Sequence, residues 1–295
     1  MKKLLSLAVL SLFIVVPNAY SQSRQSAPTS AILYKISGKG LVKPSYLFGT
    51  IHLICERDMF PAEKLKHLID QTGELMVETD FLDPVALQKA AAASKLTGGK
   101  TMKDLLTAED YTRVDNYFKT YMGISFDHLN TLKPIFSTTA VLSSPKMLGC
   151  QPPVIYDNFL AQTAKAKKLP IVGLESIEAQ MAAVDSIPLE KQIMEMKNAA
   201  AHPEKTIADF KRYSEAYLSQ NSDRLYLLAK SEMKREGYSQ AKMLDNRNIS
   251  WIPVIVEHIA KTPSFIAVGG GHLGGKNGVV NLLRMKGYTL TPIKL

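Results

Sequence analysis

Two segments far apart in the chain carry one pattern, and it constrains the fold more than any other feature. Pro44-Ser-Tyr-Leu-Phe-Gly-Thr-Ile-His52-Leu53 resembles Pro263-Ser-Phe-Ile-Ala-Val-Gly-Gly-Gly-His272-Leu273. Each is Pro-Ser, an aromatic-led apolar run of strand type, then Gly-x-x-His where the strand ends. A second pair follows: Leu75-Met-Val-Glu78 and Ile171-Val-Gly-Leu-Glu175 both run a short apolar strand into a glutamate. Ligands gather at the carboxyl ends of strands in sheets with parallel pairs. His52, Glu78, Glu175 and His272 are therefore expected to converge on one pocket. One histidine at a strand end usually bonds to backbone, and one glutamate there usually caps a helix; four related by a repeat favour a site. His67, His128, His202 and His258 fall in helical or loop context and read as surface or core residues.

The pattern between these segments is largely helical. Ala31 to Ser37 and Ser45 to Ile51 read as a hairpin across the turn Gly38-Lys39-Gly40, and Glu63 to Gln71 as a helix. Asp83-Pro84 starts a helix, and Thr107-x-x-Asp110 resembles a capping box with Asp in place of Glu or Gln. Tyr156 to Lys168 is helical and Pro170 to Leu174 a short buried strand. The stretch 176–260 is mostly helical, with breaks near Pro188, His202-Pro203 and Gly237. Strand Ser264 to Val268, glycine-rich turn Gly269 to Gly275, helix Val279 to Lys286 and strand Tyr288 to Ile293 close the pattern. The expected class is α+β (mixed α/β): a single domain over 31–295 with a central sheet built from both chain ends and a large helical insert, about 84–147 and 176–260.

The N-terminus speaks to compartment. Met1-Lys2-Lys3, the apolar run Leu4 to Val16 and the small residues Ala19 and Ser21 describe a secretory signal peptide over 1–21, followed by a flexible leader over 22–30. The apolar run is shorter than the roughly 18–20 residues a membrane span needs. No stable span is expected after cleavage, so the protein is read as exported, periplasmic or secreted. The formal charge of +9 falls to +7 once Lys2 and Lys3 are removed. The remaining lysines are dispersed, without an aromatic-plus-basic platform, so no nucleic-acid partner is expected. In an exported chain Cys55 and Cys150 are able to bridge, with two inert thiols as the other reading.

Several common chemistries are excluded. Gly269-x-Gly271-x-x-Gly274 has dinucleotide-binding spacing but no acid about 20 residues on, and Asn277 stands where a P-loop needs Ser or Thr. The sequence contains no His-Glu-x-x-His and no Gly-x-Ser-x-Gly. The glycines are better explained as letting backbone pass close to a substrate beside His272, with N–H groups offered to an oxyanion.

Leu33-Tyr34-Lys35-Ile36 followed by Pro44 to His52 resembles the opening of the TraB/GumN family, which includes the Tiki metalloproteases. Val77-Glu78-Thr79-Asp80, Asp157 in Tyr156-Asp-Asn-Phe-Leu, and Gly173-Leu-Glu175-Ser-x-Glu178-x-Gln180 agree. So do Arg247-Asn248 before Trp251 and Gly269-Gly-Gly-His272-Leu. The resemblance spans about residues 31–295. It implies a fold related to erythromycin esterases and haem-binding ChaN proteins, and two Gly-x-x-His motifs with an essential glutamate at Glu78. It also implies divalent-metal-dependent peptidase activity, with manganese or cobalt favoured and zinc a further possibility. Leu53-Ile54-Cys55-Glu56-Arg57-Asp58 replaces the tryptophan-rich loop of animal Tiki proteins, which argues against an animal-type substrate.

The chemistry suits these residues. His52, His272 and Glu78 make a three-ligand set with one position open for water. Glu175 is then a candidate general base or further ligand, and Arg247 an oxyanion stabiliser or the partner of a helix-surface salt bridge. Gly49, Gly269, Gly270, Gly271 and Asp80 are candidate substrate contacts, Asp80 lying on the Glu78 face if that strand continues. Asp157 and Gln180 read as supporting residues. The leading expectation is a metal-dependent hydrolase acting on a peptide or small-molecule substrate. The alternatives are a metal-independent esterase using His52 with Glu78, and a haem- or small-ligand-binding protein using the same histidines.

Overall fold

The two apolar runs that lead into the histidines lie side by side in one sheet. The computed structural model describes residues 30–150 and 153–295, so the expected signal peptide, and the leader apart from Ser30, lie outside the described residues. The strands are β1 (Leu33–Ser37), β2 (Ser45–Thr50), β3 (Ile54–Cys55), β4 (Glu74–Val77), β5 (Pro153–Val154), β6 (Ile171–Gly173), β7 (Ser264–Gly269) and β8 (Thr289–Ile293). The first six helices are α1 (Ala62–Ile69), α2 (Pro84–Ala93), α3 (Ala108–Met122), α4 (Pro134–Leu142), α5 (Pro145–Leu148) and α6 (Tyr156–Ala166). The rest are α7 (Ile177–Asp185), α8 (Leu189–Ala201), α9 (Pro203–Leu218), α10 (Ser222–Glu236), α11 (Asn246–Lys261) and α12 (Val279–Met285).

Six strands form a sheet in the order β6-β4-β7-β2-β1-β8, while β3 pairs with β5 in a separate ribbon. β6, β4, β7 and β2 are parallel, and β1 alone runs against its neighbours. The fold is thus mixed α+β with strands from both chain ends, and the expected hairpin is β1–β2. Register sets the motifs level: Thr50 lies opposite Gly269, and Val77 opposite both Ala267 and Gly173. The chain leaves β2, β4, β6 and β7 at the same edge, which carries His52, Glu78, Glu175 and His272 to one side.

Burial explains why these runs are strands. β2 and β7 are buried along almost their whole length, as central parallel strands with helices on both faces must be. The two-residue period sorts their side chains. Phe48, Leu75 and Phe265 pack with Tyr156, Leu160 and Tyr217 under α6 and α9. Leu47, Met76 and Ile266 pack with Trp251, Ile255 and Leu283 under α11 and α12. Phe118, Phe126, Val141 and Met196 form a third core within the helical insert. Each such apolar side chain contributes about 1.5–3 kcal/mol when fully buried.

Local signals mostly act as expected. Asp83 caps α2 by accepting from the Val85 N–H at 3.0 Å, and Thr107 caps α3 by accepting from Asp110 N–H at 3.1 Å. The return bond of a capping box is missing at Asp110, whose carboxylate pairs with Lys197; the reciprocal box forms at Thr101 and Asp104. β6 is half-buried rather than buried, because it is the edge strand. β4 stops at Val77, so Asp80 is not on a continued strand; its carboxylate accepts from the Leu82 N–H at 2.9 Å. Cys55 and Cys150 form a disulfide with Cα atoms 5.8 Å apart. Among the described residues no helix is long and apolar enough to cross a membrane.

Candidate functional site

His272 ends the tight turn after β7 and is buried. Its Nδ1 lies 2.6 Å from Oδ1 of Asn248 on α11. The Asn248 amide nitrogen donates to the carbonyls of His272 and Asn277, so its oxygen must accept. Nδ1 of His272 therefore carries the hydrogen and Nε2 keeps its lone pair. Burial holds the imidazole's pKa down, to about 4, against the opposing pull of Glu78, so the ring is neutral near pH 7.

Arg247, one residue before Asn248, binds both strand-end glutamates. Its Nη2 donates to Glu78 Oε2 at 2.7 Å and to Glu175 Oε1 at 2.5 Å, and its Nε to Glu175 Oε1 at 3.0 Å. Nη1 sits 3.4 Å from His272 Nε2. The Arg247 side chain is only 12 % exposed, which sets it apart from a helix-surface ion pair. Glu78 also accepts the Gly269 N–H at 2.7 Å. Burial pushes the Glu78 pKa up, but neighbouring positive charge and this bond outweigh it and hold the carboxyl down, at about 2. Because His272 is neutral at pH 7, the positive charge that matters most there is Arg247. Trp251, the single tryptophan, lies one turn along α11 and donates its Nε1–H to Glu175 Oε2 at 3.2 Å. Its ring packs 4.6 Å from the His272 ring and 4.9 Å from the guanidinium.

His52 is placed differently. Its side chain is 78 % exposed, and its Nδ1 lies 3.3 Å from Asp157 Oδ2 in the first turn of α6. That hydrogen bond raises its pKa, to about 9, with the Asp157 and Glu78 charges adding. The segments bearing the two residues are joined twice, by the β3–β5 pairing and by the Cys55–Cys150 disulfide.

The structure brings Glu78, Glu175, Arg247 and His272 into contact. Glu78, Arg247 and His272 share with His52 a cavity of about 630 Å³, which Gly269, Gly270 and Gly271 also line, whereas Glu175 lies behind Arg247 and borders a separate recess. The Gly269 N–H is already spent on Glu78 and is not free for an oxyanion. Gly49 is buried beneath the turn, where a Cβ would stand 2.6 Å from Leu273. Asp80 lines a smaller neighbouring recess with His52 and Gln180, and Gln180 accepts from the Thr79 hydroxyl at 2.9 Å. Sequence reasoning gave no role to Asn248, Trp251 or Tyr213. The spacing of 247, 248 and 251 on one helix was the available signal for the first two. Tyr213, on α9, had none.

The donor chemistry of this site suits a divalent ion: two imidazoles, each fixed through Nδ1 by an oxygen acceptor, and a carboxylate held ionised. Among the described residues no three His, Cys, Asp or Glu side chains are already gathered to hold a metal ion. The Arg247 guanidinium is the cation that lies among them instead.

A family model described as the TraB/PrgY/gumN family matches residues 32–292. The chain is 22% identical over 298 residues to Metalloprotease TIKI1 of Homo sapiens, covering 83% of this chain and 59% of that protein. It is 22% identical over 299 residues to Metalloprotease TIKI2 of Danio rerio and 23% identical over 299 residues to Metalloprotease TIKI2 of Xenopus tropicalis. Both matches cover 83% of this chain and 57% of the relative. The chain thus spans less than two thirds of the length of these curated relatives. No solved structure matches it.

Proposed function

The chain belongs to the TraB/PrgY/gumN family, and from that premise we propose that it is a divalent-metal-dependent hydrolase cleaving peptide bonds of an exported substrate. His52, Glu78 and His272 hold the ion: manganese, cobalt or zinc. The observation that carries this reading is the anchoring of both histidines at Nδ1, by Asp157 and Asn248. It leaves Nε2 of each ring as the nitrogen for the ion, once Arg247 Nη1, now 3.4 Å from that of His272, gives way and His52 releases its proton, on a cavity that Glu78 also lines. Metal-ligating histidines characteristically donate their other N–H to such an acceptor. The names of the relatives support the hydrolase class, and the disulfide supports an oxidising compartment.

When bound, such an ion supplies Lewis acidity and an acidified water. The chain's own residues do the rest. Asn248 and Asp157 are positioning residues for the two rings. Arg247 keeps Glu78 ionised and lies within reach of charge developing on a substrate oxygen. Glu175 is bound by Arg247 and Trp251 and, unlike Glu78, does not line the cavity, so its role in this reading is to hold Arg247 rather than to act as base. Gly270, Gly271 and Asp80 border the substrate.

One observation favours a second reading. His52 has Asp157, not Glu78, on Nδ1, and that pair is the one a metal-independent esterase would use. Such an esterase survives strong chelation, whereas a metallohydrolase loses activity and regains it with manganese or cobalt. A haem binder instead shows a Soret band on titration that His52→Ala or His272→Ala weakens. The deciding experiment is metal analysis of protein purified without chelator, wild type beside the His52→Ala/His272→Ala double variant. Metal is expected in the first only, and equal content in both would sink the metal-site reading.

A further inference from the structure

The cavity at the site continues past it. The stretch that carries His52, Glu78 and His272 measures about 630 Å³, and a second stretch of about 710 Å³ carries none of them. Leu142, Thr206, Tyr213, Ala229 and Met233 line both, so the two are one groove between α4 on one side and α9 and α10 on the other. A whole small-molecule pocket spans about 300–1,000 Å³. Each stretch alone has that room, which favours an extended ligand over a compact one.

The lining says what kind. Leu142, Phe210, Met233 and Leu244 make the stretch nearest the site apolar. Asp209 and Glu232 also border the groove, but Arg212 bonds both, at 2.9 and 3.1 Å, and Arg235 reaches Asp209 at 3.4 Å. Arg235 also pairs with Glu236 at 2.6 Å, so the charge of these three acids is matched; Glu195, further along the groove, accepts from the Tyr238 hydroxyl. Tyr213 is the polar group of the groove that stands nearest the His272 turn. Its hydroxyl sits 3.6 Å from where a Cβ on Gly271 would be, beside the His272 turn, and has no hydrogen-bond partner among the described residues. Burial, with the Glu232 charge adding, pushes this phenol up to about 12, so it stays a donor at any working pH. An apolar cleft with a few convergent polar groups, here Tyr213 beside the His272 turn and Thr206 and Asn198 further along, is the usual form of a recognition site.

We propose that this groove holds an extended peptide segment with apolar side chains, continuous with the scissile bond, and that Tyr213 donates a hydrogen bond to the segment's backbone. An extended strand offers carbonyls and alternating side chains at a regular rise, so one fixed donor sets its register. The inference rests on the hydrolase reading for its substrate, but binding tests it apart from turnover.

Fluorescein-labelled peptides of three and nine residues, bearing Leu or Asp at alternate positions, are titrated in the presence of chelator. The long Leu peptide is expected to bind at least about tenfold more tightly than the short one or the long Asp one. Ala229→Trp, or Thr206→Trp on the adjacent helix α9, fills the junction and should abolish the advantage of length. Tyr213→Phe removes one hydrogen bond and should weaken the long peptide by roughly threefold to tenfold. Melting curves identify any variant that fails to fold, and the remaining variants then carry the test. Binding that ignores length, or that none of the folded variants weakens, overturns the groove while leaving metal-dependent hydrolysis of short substrates standing. Groove binding without metal uptake separates the failures in the opposite direction.

Discussion

Oδ1 of Asn248 lies 2.6 Å from Nδ1 of His272, and the amide nitrogen of the same asparagine reaches the carbonyls of His272 and Asn277. One side chain thus fixes both the ring's tautomer and the turn that carries it. Asn248→Ala leaves three polar groups short of a partner, two of them buried, and is expected to destabilise the fold by about 1–3 kcal/mol. Imidazole nitrogen shifts in labelled protein check the tautomer directly. The wild type should show His272 protonated at Nδ1, and the variant a mixture; Nε2 protonation in the wild type would refute the assignment.

Arg247 carries the charge balance of the site. Removing it in Arg247→Met leaves Glu78 and Glu175 buried side by side without their cation, at an expected loss of about 3–5 kcal/mol. Arg247→Lys should recover only part, because an ammonium cannot reproduce the fork that spans two carboxylates. On the proposed function, manganese should raise the melting temperature of Arg247→Met more than that of the wild type. It should lose that effect when His272→Ala is added. Equal manganese shifts in all three proteins would separate Arg247 from the ion's site.

The Cys55–Cys150 disulfide closes a loop with a sequence separation of 95. It also clamps the ribbon whose two strands lead from His52 and into Asp157. The double variant Cys55→Ser/Cys150→Ser is expected to lose roughly 2–5 kcal/mol in denaturant melts, as reduction of the wild type should. Histidine proton spectra should register loss of the His52–Asp157 contact at temperatures where the fold persists. A His52 resonance unchanged by reduction would confine the disulfide to stability.

The strand-end residues were legible because a sheet converts sequence pattern into position. Once β2 and β7 pair in parallel, Gly49-x-x-His52 and Gly269-x-x-His272 must emerge at the same edge, and the apolar runs before Glu78 and Glu175 add the neighbouring strands. What those residues touch was not legible. The role of Arg247 depends on how α11 crosses β4 and β6, a packing choice made by Trp251, Ile255 and Ile259 against the sheet rather than by any local spacing. Asp80 falls outside the strand because the length of β4 is set by its partners β6 and β7, and both pairings end at Val77. The groove over Tyr213 belongs to α4, α9 and α10 together, and no single amphipathic pattern encodes the space between three helices.

Glu195 on α8 tests the electrostatics away from the site. The Tyr238 hydroxyl donates to its Oε2, while its Oε1 is buried without a partner among the described residues. Burial pushes this carboxyl up from its ordinary 4.5 to about 7, with the tyrosine bond opposing and the Glu236 charge adding. Between those two values the native state keeps a proton that the unfolded chain has released. Stability therefore falls as pH rises through this window and is lowest above it. Glu195→Gln keeps the position neutral and the oxygen available to Tyr238. It should raise stability at pH 8 by roughly 1–2 kcal/mol, a figure reduced from the full shift because the group is only half-buried. At pH 4.5 the variant and the wild type should melt together. Urea melts of both proteins at the two pH values give the comparison, and a gain no larger at pH 8 than at pH 4.5 would mean that Glu195 is ionised in the native protein throughout.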